Sequence, residues 1–246
     1  MKIKTGIILL LFSVLLSSSN LFAQSCGFGC LGLSGFYVGY TMHNYEADGL
    51  NKYLAENLSS NAVNDIPTFS KGRGFRVGAN FFRAHFDDFF FSAKGYYQFV
   101  DEHYDIKVEQ ISEIDKYNYK LQSDYFGIGV DFGIPLFKFV DWKIIEGGVN
   151  IYRTEVNIES FYLENKVSES EFEQKEAEVG YYVASGVIVH ILKDYISIEG
   201  TASYNFFNGG DVEDKSSKLR ITDNNTNLIE KSGFAAAVQL NLGFPL

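Results

Sequence analysis

Cysteine, proline, tryptophan and methionine are all scarce in this chain of 246 residues, which holds two Cys, three Pro, one Trp and two Met. Two cysteines, Cys26 and Cys30, cannot build a disulfide framework or supply the ligands of a structural zinc site. Basic residues are also short, with 21 Lys and Arg against 31 Asp and Glu for a net charge of -10, and no basic patch stands out. That excludes binding to nucleic acid through its phosphates, and no nucleic-acid partner is expected. Past the N-terminus, no apolar run reaches the ~20 residues that a membrane-spanning helix needs.

What is abundant points elsewhere. The chain carries 23 Phe, 16 Tyr and 23 Gly, many of them inside short alternating runs. Such runs suit a barrel. A mean hydropathy of -0.06 does not require a soluble protein. Polar lumen residues and loops dilute the average of a membrane barrel.

The first residues read as a targeting segment rather than as structure. Lys2 and Lys4 precede an apolar stretch from Ile7 to Leu16, then come Ser17 to Asn20 and Leu21-Phe22-Ala23. This is a signal peptide with cleavage after Ala23. Residues 24–34 form an N-terminal periplasmic segment and residues 35–246 the barrel domain. An exported chain meets an oxidising compartment, so Cys26 and Cys30 can close a small disulfide loop. Lipidation at Cys26 is the alternative.

The last strand has the clearest alternation. In Gly233 to Phe244, Phe234, Ala236, Val238, Leu240, Leu242 and Phe244 share one parity, while Ala235, Ala237, Gln239, Asn241 and Gly243 share the other. Alternate side chains of a strand face opposite ways. Seven further segments repeat the pattern, near 35–43, 74–83, 89–99, 117–134, 142–153, 179–190 and 195–206. The third has a continuation through Tyr104 and Ile106 as a ribbon. Connections alternate long and short, as in outer-membrane barrels, where periplasmic turns are short and external loops long. An even strand count puts both termini on the periplasmic side. Within the first long loop, Asp48 starts a short helix with Leu50, Tyr53, Leu54 and Leu58 on one stripe. The acidic stretch from Glu155 to Glu178 reads as a long loop.

On these features the chain resembles the small eight-stranded outer-membrane barrel family, of which OmpA and OmpX are familiar members. The resemblance spans Gly35 to Phe244, and the closing Val238-Gln-Leu-Asn-Leu-Gly-Phe244 looks like a barrel-assembly signal. It implies an all-β fold: an eight-stranded antiparallel up-and-down transmembrane barrel with long external loops and one short loop helix. It implies outer-membrane lipid as surroundings and the barrel-assembly machinery as a partner during biogenesis. It implies no particular activity. The soluble alternative, a ligand-binding barrel, requires the Phe- and Val-rich faces inside and Arg76, Lys94 and Glu146 outside.

Candidate functional residues lie on the inward parity: Arg76, Lys94, Gln98, Asp131, Glu146, Asn150, Glu199, Gln239 and Asn241. An eight-stranded barrel is just wide enough for its side chains to fill it. This set therefore reads as a structural polar network; an ion or proton path is the sharper alternative. The four histidines, His43, His85, His103 and His190, lie in no recognisable nucleophile motif, and Ser112 near His103 has no visible orienting partner. No catalytic residue, cofactor or metal site is expected. The function expected is structural or surface-interacting, through acidic external loops. The rivals are a subunit of a secretion or envelope-assembly machine, with a partner protein there, and a lipid A-modifying enzyme.

Overall fold

The computed structural model describes residues 34–58, 62–63, 65–86, 88–111, 114–193, 195–221 and 227–243. The signal-peptide reading, Ala23, the Cys26–Cys30 pair, Ser112 and Phe244 lie outside them. Among the described residues, ten strands and one helix follow in order: β1 (Gly35–Glu46), α1 (Asp48–Leu58), β2 (Lys71–His85), β3 (Phe90–Ile111), β4 (Ile114–Phe137), β5 (Val140–Tyr162), β6 (Asn165–Gln174), β7 (Glu178–Leu192), β8 (Ile196–Phe206), β9 (Val212–Asp214) and β10 (Lys231–Gly243).

Eight of the strands close a ring. The hydrogen-bonded order runs β1, β2, β3, β4, β5, β7, β8, β10 and back to β1, antiparallel at every step. Register keeps side-chain parity in step around the wall: Val38 stands opposite both Val77 and Leu240, and Gly39 opposite both Arg76 and Gln239. This is the eight-stranded up-and-down barrel that the alternation requires. A closed barrel leaves no unpaired edge, so its backbone groups are satisfied without water.

The faces are sorted as a membrane barrel demands. On β4, Phe126, Ile128 and Val130 are 53%, 55% and 49% exposed, whereas Lys94 and Glu146 on neighbouring strands are 2% and 1% exposed. The soluble alternative needs the reverse and is excluded.

The structure corrects the sequence reading above the barrel. Glu155 to Glu178 is not a loop. β5 continues to Tyr162 and returns as β6 through a two-residue turn at Leu163 and Glu164, and β9 adds to β6. β3, β4 and β5 have 22, 24 and 23 residues, about twice the 9–11 that a tilted strand needs to cross a bilayer. Their distal halves stand clear of the apolar girdle, and there the two faces exchange character. On β5 the inner side now carries Val156 and Ile158, both buried, and the outer side Glu155 and Glu159.

That apolar inner surface is covered by α1. Leu50, Leu54 and Leu58 pack with Phe69, Ile106, Val108, Tyr119, Leu121, Phe172, Leu228 and Ile229 in one buried cluster. The expected stripe thus makes the core of a folded cap, with Tyr53 half-buried at its margin. One polar clamp ties α1 to the chain returning from it, and a second ties the chain on either side of it to β3. The Asn51 amide donates to Phe69 O at 3.1 Å and accepts from Phe69 N–H at 2.8 Å. The buried Glu102 carboxylate accepts from Ser70 N–H, Lys71 N–H, Tyr45 Oη and Tyr104 Oη at 2.6–2.9 Å.

Candidate functional site

All nine inward-parity candidates lie within the barrel, each buried. The half of the lumen away from the cap holds a charge cluster. Lys94 Nζ donates to Glu146 Oε2 at 2.7 Å and stands 3.4 Å from Asp131 and 3.7 Å from Glu199. Lys143 Nζ joins Glu146 to Glu199. Ser92 Oγ donates to Asp131 at 2.6 Å, and Gln239 and Asn241 donate to Glu199 Oε2 at 3.1 and 3.2 Å. Two ammonium groups therefore sit among three carboxylates whose remaining lone pairs take neutral donors. Such mutual satisfaction is what a buried charge requires.

A tyrosine layer follows toward the cap. Tyr182 Oη donates to Glu146 Oε1 at 2.9 Å, and Tyr96 Oη donates to Asn150 Oδ1 at 2.7 Å. Asn150 Nδ2 donates to Tyr152 Oη at 2.9 Å. Arg76 lies 4.3 Å over the Tyr96 ring and donates to Gln98 Oε1 at 2.6 Å, while Gln98 donates to Tyr125 Oη. Inner-wall glycines make room for these rings. A Cβ at Gly129 would overlap Tyr182 Oη, and one at Gly127 would overlap Asn150 Oδ1 and the Tyr96 ring. Above this layer Tyr152 stacks on Phe207 with centroids 3.8 Å apart, and His43 packs against Tyr45, Tyr125 and Phe207. The aromatic floor then passes into the apolar core of the cap.

The sequence reading missed Lys143 and the tyrosines. Strict alternation from Ile145, Gly147 and Val149 assigns Lys143 to the outer wall. A bulge between Lys143 and Glu146 turns both inward three residues apart. Bulges re-aim one side chain relative to its neighbours, and only the pairing reveals this one. Tyr96, Tyr125 and Tyr182 were legible as inward by parity but carry no charge to single them out.

The histidines assemble no nucleophilic site among the described residues. His103 is exposed and His43 is buried among aromatics. His85 ends β2. His190 Nε2 pairs with Asp141 Oδ2 at 2.8 Å, and Ser197 faces His190 across the β7–β8 ladder. The Ser197 hydroxyl instead accepts from Asn241 Nδ2 at 3.2 Å, and no hydrogen bond links it to the imidazole. The serine–base contact that nucleophilic catalysis needs is therefore not made. Among the described residues no group of three or more His, Cys, Asp or Glu is placed to hold a metal ion.

The cap carries a cleft of 270 Å³ between α1 and the distal β4, β5 and β6. Register rows build its wall: Tyr117 is opposite Ser160, which is opposite Ser168, and Tyr119 is opposite Ile158, which is opposite Ser170. Tyr53 and Asn57 of α1 overhang them, with Leu58 and Phe172 completing the lining.

No family model and no curated protein matches the chain. Among solved structures it is similar to Ail, the attachment invasion locus protein of Yersinia pestis, at 12% identity over 88% of this chain and 99% of that one, with a TM-score of 0.41. It is similar to Neisserial surface protein A at 15% identity over 87% and 99%, with a TM-score of 0.37. It is also similar to the outer membrane protease OmpT of Escherichia coli at 10% identity over 93% and 100%, with a TM-score of 0.44. At these TM-scores none of them bears on what this chain binds or does; the barrel architecture rests on the closed hydrogen-bond ring.

Proposed function

We propose that the chain is a non-enzymatic bacterial outer-membrane protein whose barrel is an anchor and whose folded external cap is a surface-interaction element. One observation carries this reading: β3, β4 and β5 extend about twice as far as a membrane crossing needs and build a cap with its own apolar core. Structure of that extent costs ordering entropy and is not needed for insertion. The filled lumen supports a closed anchor over a channel. The unmade Ser197–His190 contact supports a non-enzymatic role over lipid modification. Gly35 pairs with Gly243 at the end opposite the cap, which supports periplasmic termini and an extracellular cap.

The test separates cap from barrel. A variant in which residues 47–69, 103–120, 155–176 and 208–230 are each replaced by a short turn is displayed beside the full chain in a non-adherent strain. The trimmed protein should insert and keep its heat-dependent gel mobility, while the attachment to coated surfaces conferred by the full chain is lost. Equal attachment by both forms would overturn the reading. So would a changed lipid A mass profile in cells carrying the full chain.

A further inference from the structure

We propose that the cleft under α1 binds a neutral saccharide unit, an inference that names the ligand class for the surface-interaction reading above and rests on it. Its ten lining residues are Tyr, Asn, Ser, Leu, Ile and Phe, with no carboxylate, ammonium or guanidinium among them. This neutrality is set by strand parity inside an acidic surround. Ser160, Ser168 and Ser170 turn toward the cleft, while the intervening Glu159, Glu169 and Glu171 turn to the outer face.

The arrangement suits a polyhydroxylated ring. Tyr117 and Tyr119 line it with ring centroids 6.0 Å apart, and Tyr53 overhangs them from α1. The hydroxyls of these three tyrosines have no hydrogen-bond partner among the described residues, so they remain to donate to and accept from a ligand. Asn57 Nδ2 donates to Tyr53 O at 2.8 Å and leaves its Oδ1 as an acceptor. Ser160 and Ser168 share one hydrogen bond at 2.5 Å and keep further acceptor sites. Tyrosine, serine and asparagine together give rigid contact area with adaptable hydrogen bonding. At 270 Å³ the cleft falls just below the ~300 Å³ where drug-sized sites begin, a size for one sugar ring with its neighbours outside. Sulfated or phosphorylated sugars would enter a field set by the chain's net charge of -10 and find no cation in the lining.

The test uses the full chain purified in detergent and titrated calorimetrically with neutral, sulfated and sialylated oligosaccharides. One further arm uses core oligosaccharide freed from the lipid of the expressing strain. Saturable binding of a neutral saccharide is expected, and the arms separate a foreign glycan from the cell's own. The double variant Tyr53→Phe and Tyr117→Phe keeps the rings and removes two hydroxyls. It should weaken binding about three- to tenfold per hydroxyl lost, with the heat-dependent gel shift unchanged. Ser170→Leu fills part of the cleft as an independent probe and should also weaken it. Absence of neutral-saccharide binding up to roughly 10 mM, preference for sulfated sugars, or binding indifferent to both variants would overturn the inference. Cap-dependent attachment without sugar binding would sink this inference alone and leave the proposed function standing.

Discussion

Lys143 is the most constrained charge in the lumen. It is fully buried between Glu146 and Glu199, while Lys94 serves the same two carboxylates and Asp131. Lys143→Met keeps most of the volume but leaves three carboxylates with one nearby ammonium. Removing one partner of a buried pair typically costs about 3–5 kcal/mol, and urea unfolding of the reconstituted protein should register a loss of that order. Adding Glu199→Gln should recover part of it, because the uncompensated charge is then gone. Asp214 is a second residue whose chemistry is fixed locally, at the turn after β9. It accepts from Ser217 N–H at 2.6 Å, Ser216 N–H at 2.9 Å and both serine hydroxyls. Those bonds, led by Ser217 N–H, hold its carboxyl at about 2. A depressed carboxyl stabilises the folded turn above its unfolded pKa, and the contribution is lost as pH falls through the folded value. The protection of the Ser216 and Ser217 amides against hydrogen exchange, relative to unstructured chain at the same pH, should therefore hold at pH 4 and fall only as pH approaches 2; Asp214→Ala should abolish it at every pH. Nine lumen residues could be placed inward from period two alone. Lys143 could not, because a bulge leaves no mark in composition.

Among the elements, α1 supplies three leucines to the apolar core of the cap. Leu54 is fully buried against the distal strands, and the Asn51–Phe69 clamp holds the returning chain. Leu54→Ala should cost about 2–5 kcal/mol, and that loss should be spent on the cap, since Leu54 packs in its buried apolar cluster. Protease added to intact cells should cut the cap of this variant faster than that of the parent, with the barrel's heat-dependent gel shift retained; loss of both together would show one cooperative unit. The helix was readable from its stripe, whereas the β5–β6 hairpin was not. Glu155-Val-Asn-Ile-Glu-Ser160 has a clean period of two, but its polar face is glutamate and it sits in a run dense in carboxylates. Its turn also lacks the usual sign. Leu163 and Glu164 take φ of 47° and 67°, a conformation that normally selects Asn-Gly, with Asp115 Oδ2 accepting from Leu163 N–H at 3.0 Å. A turn held by a tertiary contact from another hairpin cannot be read from its own residues.

For the whole molecule, the decisive property is where the outer surface changes from apolar to charged, because that fixes which part of each long strand is in lipid. β4 crosses the change within a few residues. Its outer face runs Gln122, Asp124, Phe126, Ile128, Val130, Phe132 without a break in parity. An arginine placed on this face reports the local solvent. At Ile128 it should cost ~2–4 kcal/mol, the penalty for Arg or Lys near a bilayer midplane. At Gln122, three pleat repeats higher, it should fall within about ±0.5 kcal/mol, as for an ordinary surface site. The contrast is informative because both positions share one strand, one face and similar backbone pairing, and the ~1 kcal/mol span of strand propensity is smaller than the expected midplane penalty. Folding titrations of the two variants into lipid vesicles measure it directly. In water the same pair would behave differently: Ile128 is already 55% exposed, and an arginine there would cost no more than one at Gln122. Equal costs at the two positions would mean that the Phe- and Ile-rich girdle does not face acyl chains, and the division into spanning barrel and external cap would fall with it.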